Sequence, residues 1–64
     1  MRIENLIIGN FYSDLDGTYQ YLNQRNDNLW YFAVCDYDEK RGNYIPTKNI
    51  VSLTKHEILL LDEE

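Results

Sequence analysis

Apolar residues along this chain fall in short bursts divided by polar turns, a pattern that predicts strands. Leu6, Ile7, Ile8, Phe11 and Tyr12 form the first burst, interrupted at Gly9-Asn10, where an internal glycine suggests a bulge or bend. Ser13 to Gly17 is polar and tight, a turn. Thr18 to Asn23 alternates, with Tyr19 and Tyr21 on one face and Thr18, Gln20 and Leu22 on the other, which predicts a second strand. Asn23 to Asn28 is wholly polar and predicts a loop. Leu29 to Tyr37 is apolar on both faces, as in a strand covered on both sides.

Asp36 to Gly42 predicts a charged hairpin loop, with Gly42-Asn43 able to take the positive φ that closure needs. Tyr44-Ile45 predicts a short strand stopped by Pro46, whose missing N–H excludes a central ladder position. Thr47 to Asn49 then fits a single turn and Ile50 to Leu53 a last strand. In the tail, Thr54 and Glu57 have capping-box spacing ahead of Ile58 to Leu61, which favours a short helix. Four consecutive apolar residues without helical periodicity suit a strand equally well, and the strand is the slightly preferred reading.

Trp30-Tyr31-Phe32-Ala33, followed by a hairpin and then Gly42-Asn43-Tyr44-Ile45-Pro46-Thr47-Lys48-Asn49-Ile50-Val51, resembles the second half of an SH3 domain. There an aromatic pair with an alanine two residues on precedes a hairpin, a glycine, a hydrophobic-Pro step, a short turn and a final strand. The resemblance covers about Gly17 to Val51. It implies an all-β fold, a small SH3-like barrel of five or six strands over residues 1–53 with a short turn after Pro46. It also implies that Tyr31, Ala33 and Cys35 point inward and that Trp30, Phe32 and Val34 point outward. Phe32 and Val34 then need cover, and the apolar run Ile58, Leu59, Leu60 and Leu61 in the extension 54–64 would supply it, within the chain or across a homodimer. The family's groove holds proline-rich ligands on a row of aromatic rings. Here only Tyr12, Trp30 and Pro46 would contribute to one. Trp30-Tyr31-Phe32 also resembles the WYL ligand-sensing domain, another small barrel.

Sixty-four residues allow one marginally stable domain, and a single cysteine, Cys35, allows no internal disulfide. Eleven acids against six bases give a net charge of −5, which disfavours direct nucleic-acid binding and favours a protein partner with a basic surface. MRIENLIIG is too short in apolar residues for a signal peptide or a membrane span, so the expected location is the reducing cytoplasm.

Asp14-Leu15-Asp16-Gly17-Thr18 resembles the nucleophile motif of haloacid-dehalogenase-type phosphatases, in which one Asp attacks phosphorus, the other moves a proton and Mg²⁺ neutralises the oxygens. That chemistry needs a parallel α/β sheet in a domain more than twice this length, so a tight turn is the expected role. His56 stands alone near the C-terminus, and Cys35 lies between Val34 and Asp36 with no cationic neighbour to make a thiolate. No enzymatic activity, cofactor or metal is expected. The expected function is a non-enzymatic protein-interaction module or small acidic inhibitor, of a size and charge that suit a phage or mobile-element product acting on a host protein. Its expected binding residues are Tyr12, Trp30, Tyr44 and Pro46, rimmed by Asp14, Asp16 and Asp27. The alternative is a small-ligand sensor or sponge acting as an oligomer, its pocket framed by tyrosines between protomers.

Overall fold

The protein is described by a computed structural model over residues 1–26 and 28–64. A single 3-10 turn, Ile3–Asn5, is followed by strands β1 (Phe11–Ser13), β2 (Thr18–Asn26), β3 (Leu29–Asp38) and β4 (Asn43–Leu53). A one-turn helix α1 (Lys55–Leu59) and strand β5 (Asp62–Glu63) complete the chain. The fold is all-β: one five-stranded antiparallel sheet in the order β4-β3-β2-β1-β5. The sheet is not closed, since β4 and β5 are its two edges.

Cross-strand register assigns every strand residue to a face. One face carries the rows Gln24–Trp30–Leu53, Tyr21–Phe32–Val51 and Tyr12–Tyr19–Val34. Residues of these rows form the core: Tyr12, Tyr21, Trp30, Phe32 and Leu53 cluster with Ile58 of α1 and with Leu61, while Met1, Ile3 and Leu6 close the margin. The Phe32 ring meets Tyr12 and Tyr19 edge-on and Tyr21 at a tilt, with centroids 5.2 to 6.5 Å apart. Edge contacts of this kind add to the gain from burial alone. The hydroxyl of buried Tyr12 accepts the Ile7 N–H at 2.9 Å, so the ring enters the core without an orphaned polar atom.

The opposite face carries the rows Asn23–Tyr31–Ser52, Phe11–Gln20–Ala33–Ile50, Ser13–Thr18–Cys35–Pro46 and Tyr37–Tyr44. This orientation overturns the inward placing of Tyr31 and the outward placing of Trp30, Phe32 and Val34, the last of these half-buried on the core face. The core lies where the apolar N-terminal segment and the tail can reach, and both cross the Trp30–Phe32 side. Ala33 and Cys35 are buried on the open face, as small side chains between larger neighbours of their own and adjacent strands.

Pro46 also differs from its expectation. It lies inside one continuous β4 paired with Cys35, and no turn follows it. Because β4 is an edge strand, the absent N–H costs no central ladder bond. The irregularity appears as a bulge between the Ala33–Ile50 and Cys35–Pro46 pairs. There the Thr47 hydroxyl donates to the Val34 carbonyl at 2.7 Å and accepts the Asn49 N–H at 3.2 Å. The single helical turn instead occupies Lys55–Leu59. Thr54 and Glu57 form a reciprocal capping box at its start, so the helical reading of the tail holds and the strand reading fails for Ile58 and Leu59. Ile58 and Leu61, three residues apart, turn inward and are almost wholly buried, while Leu59 and Leu60 stay exposed.

β3 and β4 run on past the rest of the sheet. Beyond Cys35, β3 has only β4 as a partner, so Asp36–Asp38 and Asn43–Ile45 form a two-stranded arm. Its loop closes through Gly42 at φ 70°, whose N–H donates to the Asp38 carbonyl at 2.8 Å. No helix among the described residues is long and apolar enough to cross a membrane.

Candidate functional site

The turn joining β1 to β2 is built by one carboxylate. Asp14 Oδ1 accepts the backbone N–H groups of Asp16 (2.8 Å) and Gly17 (3.1 Å), and the Asp14 N–H donates to the Gly17 carbonyl at 3.0 Å. The Tyr19 hydroxyl approaches the same oxygen at 3.5 Å. This is an Asx-type turn, in which a short acidic side chain replaces a backbone acceptor. The Asp14–Thr18 motif is accordingly a tight turn between antiparallel strands. Among the described residues no three His, Cys, Asp or Glu side chains come together to hold a metal ion.

The turn holds Leu15 at its apex, where the side chain is fully exposed. Leu60, 65% exposed, lies across from it, and Asp14, Leu15, Asp16 and Leu60 line a groove of about 290 Å³. Leu60 is carried there by the inward turn of Ile58 and Leu61, which leaves both residues between them, Leu59 and Leu60, facing outward. The pairing of Ser13 with Asp62 brings a further carboxylate to the same end of the sheet. The acidity is felt by Tyr19, whose hydroxyl is pushed above its ordinary pKa of 10.0 by burial first, then by Asp14 and Asp16, by its hydrogen bond to Asp14 and by Glu57.

The expected site residues are dispersed by this arrangement. Tyr12 and Trp30 belong to the core, with 0% and 5% of their surface exposed, and neither can anchor a partner. Tyr44 stacks edge-on with Tyr37 on the arm at 5.2 Å, both exposed, and exposed Pro46 lies on the same open face. Asp27 lies outside the described residues. Asp14 and Asp16 flank the groove, but the apolar members of that patch are Leu15 and Leu60. Of the expected dimer residues, Phe32, Ile58 and Leu61 are buried within the chain, and Leu59 and Leu60 remain exposed. Leu15 is not among the expected residues, because the chemistry-bearing groups of the DLDGT pattern are its carboxylates. An apolar residue at the apex of a predicted polar turn is itself the available signal.

A second groove, of about 480 Å³, crosses the open face between Leu22, Tyr31, Ile50 and Ser52. The Arg25 guanidinium stands 5.3 Å above the Tyr31 ring, within cation–π range. Neither family models, curated proteins nor solved structures show a match to this chain.

Proposed function

We propose that the protein is a non-enzymatic binding module that occupies a basic protein surface through the Leu15–Leu60 patch. The observation that carries this reading is a fully exposed leucine on a turn pinned by three hydrogen bonds and bordered by carboxylates. A rigid apolar anchor loses little entropy on docking, and the acidic rim speeds encounter with a cationic surface. The net charge of −5 acts in the same direction. The SH3 resemblance enters as one of element order: a meander, a helical turn and a last strand, on a sheet that stays open. Its polyproline groove has no counterpart here, because Tyr12 and Trp30 are core residues. In this reading the chain acts by covering a host protein's surface, as a small acidic inhibitor would.

The test is capture of a partner from a cell lysate by the immobilised protein, compared with Leu15→Ser, Leu60→Ser and Asp14→Asn. Asparagine keeps the oxygen that accepts the turn's N–H groups and removes only the charge. Capture of a basic protein that is lost with either leucine and weakened with Asp14→Asn supports the proposal. Capture indifferent to all three substitutions overturns it.

A further inference from the structure

The open face of the sheet is poor in charge. Exposed faces of antiparallel sheets are normally polar or charged, and 27% of this chain is Asp, Glu, Lys or Arg. Yet the paired positions that β1, β2, β3 and β4 contribute to the four open-face rows carry no charged residue. Asp62 joins the Ser13 row at the β5 edge, exposed Lys48 alternates with Pro46 and Ile50 in the β4 bulge, and Arg25 stands above Tyr31, so the few charges of this face lie at its margins and are of both signs. Among the described residues the other acids lie on the 3-10 turn (Glu4), on the β1–β2 turn, on α1 and the tail, and on the arm. Away from these marginal charges, Ile50 is half exposed beside the groove walled by Leu22 and Tyr31.

We propose that this face docks a second copy of the same chain, open face on open face about a two-fold axis. Most of the surface of a body carrying −5 repels its own kind. The open face is where two copies can meet with most of their carboxylates directed away from the contact. The two-fold places Ile50 of each copy at the Leu22–Tyr31 groove of the other, so a single knob and a single groove close the pair isologously. The edge strand β4 is a poorer docking element, because Pro46 and the Thr47–Asn49 bulge break its outer ladder. Four strands about 4.8 Å apart and roughly 3.3 Å of rise per residue over seven residues give a footprint on the order of 400 Å² per copy. That is about 800 Å² in total, about half of a standard specific interface and in the range of transient encounters, so the dimer is weak and concentration-dependent.

Sedimentation equilibrium from micromolar to millimolar protein tests this. The weight-average mass should climb from 7.7 kDa towards twice that value. Ile50→Lys, at an exposed position, should hold it at the monomer mass, since the substitution enters the interface twice. Ser52→Arg, which alters no apolar side chain, should do the same with unchanged circular dichroism. Leu60→Lys, in the other patch, should climb like the unsubstituted chain. A constant monomer mass at millimolar concentration overturns the proposal. So does association that survives both open-face substitutions or that is lost with Leu60→Lys alone.

Discussion

Truncating Trp30 and truncating Leu15 remove apolar surface of very different kinds. Trp30 is 5% exposed and packed among Tyr21, Phe32 and Leu53, so Trp30→Ala leaves a cavity costing about 3 to 5 kcal/mol. A chain of this length has only about 3 to 10 kcal/mol in total. The substitution should therefore lower the thermal midpoint sharply or unfold the protein, and any lost binding would report folding. Leu15→Ser should change stability by less than about 0.5 kcal/mol in a urea melt and act on binding alone. The sequence shows that Trp30, Phe32 and Tyr31 are strand residues but not which of them faces inward. A strand apolar on both sides gives no parity signal, and the choice is made by the segments that come to cover it.

Titration behaviour also belongs to single residues. Tyr19 and Tyr21 are raised above 10.0, both chiefly by burial, and burial followed by the Asp36 charge raises Cys35 above 9.0 against a lowering hydrogen bond from the Gln20 backbone. Each group holds its proton more tightly folded than unfolded. Their contribution is therefore complete below the unfolded pKa and is lost as pH rises through the folded value. Thermal midpoints should be flat near about pH 8 and fall progressively towards about pH 11. Tyr19→Phe should shallow that fall, and an unchanged alkaline slope in this variant would remove Tyr19 from the account.

Among the elements, α1 is too short to stand by propensity, since helices below about 12 residues are marginal in water. Two things keep it: the burial of Ile58 and the Thr54–Glu57 box, in which the Thr54 Oγ1 accepts the Glu57 N–H and Glu57 Oε1 accepts the Thr54 N–H. Thr54→Ala should cost about 1 kcal/mol, measured by denaturant titration, with hydrogen exchange quickened first at Ile58, Leu60 and Leu61. This motif was legible in the sequence. The inward pair Ile58 and Leu61 was hidden within four successive apolar residues, because the same letters satisfy a strand. Likewise, Pro46 correctly marks irregular backbone, but a proline cannot by itself distinguish the end of a strand from a bulge on an edge strand.

For the whole molecule, two surfaces of opposite character make opposite predictions about salt. The strand content and antiparallel order could be read from the chain, whereas closure into a barrel could not, because it depends on edges far apart in sequence. Charge segregation between faces was hidden for the same reason: it exists only once register sets each residue on a side. The carboxylates around Leu15 attract a basic partner at long range, and raising ionic strength shortens the Debye length from about 10 Å at 0.1 M to about 3 Å at 1 M. Partner association should therefore slow and weaken with salt. Self-association brings two bodies of charge −5 together through a face poor in charge, so the same screening removes a net repulsion and leaves the apolar contact intact. The dimer should strengthen, or at least hold, over the range in which partner binding fades. Measuring both dissociation constants across one salt series separates the two surfaces without a mutation. If both constants weaken together, the two contacts share the acidic patch, and the open face is not where copies meet.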